Sequence, residues 1–439
     1  MAQEAIAEGV KHYHPKSPSE HSGYKKPKIL DKTIPFLLLM LFVAGMYAAR
    51  YFAVGRLDWF LGMYGTLMVC YLVSKAVLSL FYRPRIGPPP IVGVSVVIPF
   101  YNESPHIIVR TVWSVLMQDY PIREVIVVDD GSEDSTAFEE LLEYRDRHGL
   151  HNRLILHRFE ENRGKREAQI FGFDRATGAI IITVDSDTTL YPDAIRNLLV
   201  PFRDPEVMAV TGHVGARNRN QNLLTRLIDQ RYQNAFSTER AAQSVFGTVL
   251  VCSGPLSAYR REVIIENLER YRNQRFLGKP VQYGDDRCLT NFALERGKTV
   301  YQSTARCLTE VPSTLRKFIK QQIRWNKSFF RESLIALRIG LRKPILFLWV
   351  LLEMTLWISF GASLVLAVAV GSRSFGAVVI LYYLALLALS AYARSVSYAL
   401  KHPGTFLLAP LYGLLHVTVL IPVRLYALLT IRRVSWGTR

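Results

Sequence analysis

Cysteine is scarce: four residues in 439, and Cys70, Cys252, Cys288 and Cys307 show no CxxC spacing. This argues against a disulfide-stapled scaffold and points to reduced thiols in a cytosolic setting. Acidic residues are also short. The chain has 36 Asp and Glu against 54 Lys and Arg, a net charge of +18. Such an excess points to an anionic partner: nucleic acid, anionic lipid, or a phosphorylated or acidic substrate. Nucleic acid is set aside because neither zinc-ligand spacing nor a basic repeat accompanies the charge. No GxxxxGK[ST] occurs, which excludes a P-loop phosphate site. Internal repeats and long low-complexity tracts are absent too.

What the chain does have is long apolar runs. Residues 34–54 and 59–82 can each cross ~30 Å of hydrocarbon if Arg50 and Lys75 snorkel or face protein. The first run starts late and a second follows, which opposes a signal peptide. Lys25, Lys26, Lys28 and Lys32 precede the pair, and Arg83 and Arg85 follow it. The positive-inside rule then makes a hairpin with both flanks in the cytoplasm. Runs at 345–371 and 375–400 follow near the C-terminus. A last one, 404–431, is interrupted by Pro410 and Pro422 and reads as kinked, re-entrant or doubly crossing. Glu353, Arg394 and Arg424 are costly there if they face lipid. At least one of them is expected to line a polar path; the alternative is snorkelling or a helix–helix ion pair.

The organisation expected is a polar, partly disordered tail (1–33), two transmembrane helices (34–82), and a soluble domain (90–312). Interfacial helices (313–343), C-terminal membrane segments (344–431) and a cytosolic tail (432–439) complete it. In the soluble part, apolar strands alternate with helices. "GVSVVIPF" (93–100), "EVIVVDD" (124–130), "RLILHR" and "AIIITVDSD" (179–187) are strands. Ser104 and Pro105 open the first intervening helix. The pattern predicts a mostly parallel sheet covered on both faces, with ligands beyond the carboxyl ends of its strands.

Acidic pairs sit at those ends. Asp129 and Asp130 close the second strand, and Asp185 and Asp187 close the fourth. One strand-end Asp is usually a turn residue; two pairs are harder to dismiss. Carboxylates at i and i+2 of an extended chain point the same way, which suits a divalent cation with diphosphate oxygens. Asp285 and Asp286 precede an amphipathic helix; one is expected to cap it and the other is a candidate base. In "QQIRWNKSFFRE" (321–332), Gln321, Arg324 and Trp325 share one helix face at the edge of an apolar run. Lys327 and Arg331 read equally well as interfacial snorkelling cations.

The order VVIPFYNE, VVDDGS, NRGKREAQ, VDSD, CSGP, GDDR and QQIRW resembles the processive family 2 glycosyltransferases, which include cellulose, chitin and hyaluronan synthases. The motif match covers roughly residues 90–335. "FGTVLVCSGPLSAYRREVIIENLERYRNQRFLGKP", "RWNKSFFRESL" and the terminal "SWGTR" are most similar to the bacterial hyaluronan-making branch; the nodulation chitooligosaccharide branch is less similar. The resemblance implies a Rossmann-like GT-A domain of α/β class, inserted between α-helical transmembrane segments. It implies an enzyme of the plasma membrane, multi-pass, with the catalytic domain cytoplasmic. Its expected partners are UDP-N-acetylglucosamine, UDP-glucuronic acid, the growing polysaccharide chain and the bilayer. Tyr101, Asn102, Glu103, Asp129 and Asp130 would hold the uridine, with Lys165 and Arg166 beside the nucleotide. Asp185 would face sugar or ribose, and Asp187 would bind Mg²⁺ or Mn²⁺. Asp286 would be the general base. Cys252, Ser253, Gly254 and Pro255 would shape the acceptor site, and Gln321, Arg324 and Trp325 would close over the diphosphate and the acceptor end.

Overall fold

The computed structural model describes residues 29–53, 59–366, 369, 377–399 and 402–433. The expectations for most of the N-terminal tail and for the terminal SWGTR fall outside those residues. Ten strands are described: β1 (Val94–Phe100), β2 (Glu124–Asp129), β3 (Leu154–Arg158), β4 (Ile180–Thr183), β5 (Thr188–Leu190), β6 (Val207–Ala216), β7 (Ser257–Arg260), β8 (Arg275–Phe276), β9 (Lys279–Pro280) and β10 (Lys298–Thr309). Eight of them form one sheet in the order β3-β2-β1-β4-β7-β6-β10-β5, and β8 with β9 forms a separate hairpin.

Every residue of β1 and β2 is buried. Val96 and Ile98 pack into one apolar cluster while Val97 packs into another, so the sheet is covered on both faces. Burial of each such side chain contributes roughly 1.5–3 kcal/mol. The parallel expectation holds for β3-β2-β1-β4. It holds again for β6 with β10, but β7 runs antiparallel to β4 and β6, and β5 antiparallel to β10, so the sheet is mixed. Apolar runs mark strands but carry no sign of direction.

A second correction concerns the fourth strand. It ends at Thr183, not Asp187, and Val184–Asp187 leave the ladder. Val184 N still donates to Val97 O at 3.1 Å. The next ladder bond would need an N–H from residue 99, which is Pro99. The acidic pair therefore sits in a turn between β4 and β5 rather than on an extended strand.

The apolar runs are helical at Ile29–Ala53, Trp59–Phe81, Pro344–Leu366 and Ala377–Ala399. The final run is discontinuous: Pro403–Phe406, Ala409–Leu415, a π-helical turn His416–Leu420, and Ile421–Leu429. Pro410 and Pro422 each lie at the start of a new segment, where the missing N–H is tolerated. Among the described residues, Pro403–Leu429 alone is long and apolar enough to cross a membrane; Phe36–Ala48, Cys70–Phe81 and Pro344–Leu356 are shorter apolar stretches.

The helix Leu315–Gly340 carries the QxxRW residues and begins at Thr314, whose side chain accepts from Lys317 N. It packs against Asp285–Arg296, Pro344–Leu366 and Ile421–Leu429. Its contacts overturn the snorkelling reading of Lys327 and Arg331. Both are buried in protein. Lys327 Nζ donates to Arg433 O at 3.0 Å, and Arg331 donates to Glu332 Oε1 at 2.7 Å and to Tyr283 O.

Candidate active site

The carboxyl ends of β1, β2 and β4, the loop before β7, the start of Asp285–Arg296 and the QxxRW helix converge on one cavity of about 1020 Å³. It continues between the helices Ala377–Ala399 and Pro403–Leu429. Tyr101, Asp130, Lys165, Asp185 and Asp187 line it, as do Ser253, Gly254, Pro255 and Asp286. Gln321, Arg324 and Trp325 are on its wall as well. Asn102, Glu103, Asp129, Arg166 and Cys252 are not on its wall.

Those five occupy a supporting layer. Asp129 is fully buried: Oδ1 accepts from Ser132 N and Oγ at 3.0 and 2.5 Å, and Oδ2 from Arg158 Nε at 3.1 Å. Its carboxylate is occupied in holding the loop after β2. Asn102 (φ 49°) accepts from Glu133 N and donates its own N–H to Ser132 Oγ, so the two loops are stitched together. Glu103 Oε2 accepts from Ser186 Oγ at 2.9 Å, between the two aspartates of the D-x-D turn. Burial pushes the Cys252 thiol up to about 12, and Thr290 Oγ1 accepts from its N–H. Arg166 is off the cavity wall and bonds Asp285, Tyr271 O and Gln274 instead.

Asp130 reaches the cavity. Its oxygens accept from the backbone of Arg163 and Gly164 and from Asn162 Nδ2 at 2.9–3.0 Å. Burial nevertheless lifts its carboxyl to about 6, helped by the charge of Asp129. Lys165 Nζ lies 2.5 Å from Asp185 Oδ1. Burial works against the ammonium, but Asp185 and then Asp285 outweigh it and hold the pKa above the ordinary lysine value. Gly254 backs onto Asp185 so closely that a Cβ there would meet Oδ2 at 2.8 Å. The CSGP loop and the D-x-D turn are thus in contact.

Asp286 and Asp285 occupy the first turn of Asp285–Arg296, and neither caps it. The N-cap is Gly284, at φ 93°. A Cβ on Gly284 would strike Ser328 Oγ and Arg331 Nη2, so the close fit of this turn against the QxxRW helix needs glycine. Asp285 is buried against Arg166. Asp286 accepts from Arg287 N at 2.8 Å, and burial raises its carboxyl above the usual value, with Arg287 opposing. Across the cavity, Trp325 is 46% exposed and offers an indole face. Gln321 Oε1 is buried with no protein partner among the described residues.

The donor set constrains a metal. Among the described residues no group of three or more His, Cys, Asp or Glu gathers that could hold one. Asp187 takes a bond from Thr309 Oγ1 at 2.8 Å, and Asp185 is tied to Lys165. Two carboxylates in a turn fit a Mg²⁺-type ion whose remaining ligands are substrate phosphate oxygens and water.

Several cavity residues carried no motif. Asn162 lies within NRGKREAQ yet was given no role there. Arg231, Glu239 and Arg240 come from a helix and a π-helical turn between recognisable motifs, and nothing in their spacing marks them.

The family model "Glycosyl transferase family 2" matches residues 95–268. A curated relative, "Hyaluronan synthase" of Streptococcus pyogenes, is 48% identical over 423 residues, 95% of this chain and 98% of the relative. An "N-acetylglucosaminyltransferase" of Azorhizobium caulinodans is 37% identical over 353 residues, 79% of this chain and 87% of the relative. Among solved structures, a mannosyltransferase of Pyrobaculum calidifontis in complex with GDP-Man and Mn²⁺ superposes with a TM-score of 0.59 at 22% identity, covering 91% of this chain and all of that one. That likeness supports the fold.

Proposed function

The chain belongs to the hyaluronan synthases of glycosyl transferase family 2, and from that premise we propose that it joins UDP-N-acetylglucosamine and UDP-glucuronic acid alternately and passes the polymer outward through the cavity's helical end. The observation that carries the reading is the shared cavity: Asp286, the D-x-D turn, Arg324 and Trp325 open into a space that continues between the C-terminal helices.

The reaction is an inverting displacement. The acceptor hydroxyl oxygen attacks the anomeric carbon, the bond to UDP breaks, and the hydroxyl proton passes to Asp286. A raised carboxyl pKa makes Asp286 the stronger base. Arg324 offers a planar fork to the departing diphosphate, and Trp325 a flat face for a sugar ring. Asp130 accepts from uridine, and Lys165 exchanges Asp185 for a phosphate oxygen. Asp187 with Asp185 would hold a divalent cation, which would supply positive charge to the departing diphosphate.

A single D-x-D, a single candidate base beside it and a single QxxRW are present in the sequence, so alternation is set by the acceptor's last sugar. The chain is multi-pass in the plasma membrane, its sheet domain cytoplasmic. Purified protein given Mg²⁺ or Mn²⁺ and each donor singly, then both, tests the assignment. A long polymer made only with both donors and cut by hyaluronidase supports it. A chitinase-sensitive polymer from UDP-N-acetylglucosamine alone, indifferent to the second donor, moves the chain to the chitin-type branch.

A further inference from the structure

Arg240 ends the π-helical turn Ala235–Arg240 and lines the cavity beside the CSGP loop. Its donors all go to neutral groups. Nε bonds Val251 O at 3.1 Å, Nη1 bonds Ala235 O at 3.4 Å, and Nη2 bonds Ser253 Oγ at 2.7 Å. Its guanidinium also stacks on Phe236, 4.1 Å from the ring centre. Among the described residues no carboxylate lies within ion-pair distance of it.

The neighbouring acid is engaged elsewhere. Glu239 faces Arg231 in a two-point fork at 3.2 and 3.3 Å and accepts from Asn234 Nδ2. That pairing is strong enough to hold the Glu239 carboxyl well below its ordinary range against its burial. Arg240 is left with the opposite balance. Burial lowers its pKa to about 10, and Arg231 and Arg287 add to the fall although Glu239 resists it. A guanidinium held among neutral groups inside a protein is costly unless an anion joins it.

We propose that Arg240 is a specificity-determining residue, and that it binds the carboxylate of a uronate sugar of the growing chain next to the acceptor site. Ser253 links it to the loop that shapes that site, and Phe236 fixes the plane of the fork, which suits bidentate carboxylate recognition. A uronate held here sets the chain in a two-sugar register, so that one sugar type stands at Asp286 when the carboxylate is seated. The inference rests on the hyaluronan reading above, since a neutral N-acetylglucosamine polymer has no carboxylate to offer.

The test uses the full chain in lipid nanodiscs. Competition with polymer elongation is measured for a hyaluronan tetrasaccharide and for the same tetrasaccharide with its carboxyls reduced to alcohols. The wild type is expected to prefer the acid at least ten-fold. Arg240→Gln is expected to lose the preference and to make polymer at least ten-fold more slowly, while the KM of each nucleotide sugar moves less than two-fold. Arg240→Lys restores part of the acid preference, which a purely structural role does not predict. Equal inhibition of the wild type by the two tetrasaccharides, or an unchanged preference in Arg240→Gln, overturns the assignment. If Arg240→Gln fails to fold, the wild-type comparison and the lysine variant still decide. Failure of the hyaluronan reading looks different: the wild type then makes no hyaluronidase-sensitive product at all.

Discussion

Arg166 Nε donates to Asp285 Oδ1 across 3.2 Å with both side chains buried. The bond separates two adjacent aspartates by role: both line the cavity, but Asp285 is held by the Arg166 guanidinium, while Asp286 accepts from the Arg287 N–H. Removing one partner of a buried pair leaves the other charge uncompensated, a cost on the order of 3–5 kcal/mol. Arg166→Met is therefore expected to lower the melting temperature sharply. Asp286→Asn should melt like the wild type but lose transfer by about 10²–10⁴-fold, as for a missing general base. Melting curves and UDP-release rates on the same preparations separate the two.

Asp187→Asn keeps the side-chain volume and removes one anionic ligand. The variant should insert and fold but lose transfer, and Mn²⁺ should no longer strengthen UDP binding. Near-normal Mn²⁺-dependent activity would refute the metal role.

Arg324→Lys keeps the charge and loses the fork. Turnover should fall severely and UDP should become a weaker inhibitor. Recovery of most activity with lysine would reduce Arg324 to an interfacial anchor.

Asp130, lifted to about 6, gives a pH signature. Its folded value lies above the ordinary 3.8, so the proton favours the folded state. That contribution is present below the ordinary value and is lost as pH rises through about 6. Uridine binding runs the other way, because the donors of the nucleoside need the carboxylate. UDP affinity is expected to fall several-fold between about pH 7 and about pH 5, read by calorimetry. Asp130→Asn should bind weakly with a flatter profile; an equally steep profile in that variant assigns the titration to another group.

Glu353, Arg394 and Arg424 all line the cavity. Glu353 is also paired with Lys75 at 3.2 Å, and Arg424 donates to Asn326 Oδ1 on the QxxRW helix at 2.8 Å. A polar path and helix-to-helix bonding are thus served by the same side chains. Neutralising each should shorten the polymer without changing nucleotide-sugar affinity, measured by gel sizing and donor KM. Unchanged length in all three variants counts against the path.

Strand identity, helix placement and the cavity's acidic and QxxRW residues were legible in the chain because local spacing carries them. A buried parallel strand needs a continuous apolar run, and "GVSVVIPF" has one; a helix face needs i, i+3 and i+4, and Gln321, Arg324 and Trp325 supply it. Strand direction is not local, so β7 could not be told from a parallel neighbour. The end of β4 depended on Pro99, a residue on another strand. Which aspartate of 285–286 is taken up in an ion pair depended on Arg166, more than a hundred residues away in sequence. The fates of Lys327 and Arg331 depended on Arg433, Glu332 and Tyr283, because a cation beside an apolar run reads the same whether lipid or protein covers it. Arg240 had no signature at all: its lone charge appears only when folding gives Glu239 to Arg231 and leaves Arg240 facing the cavity.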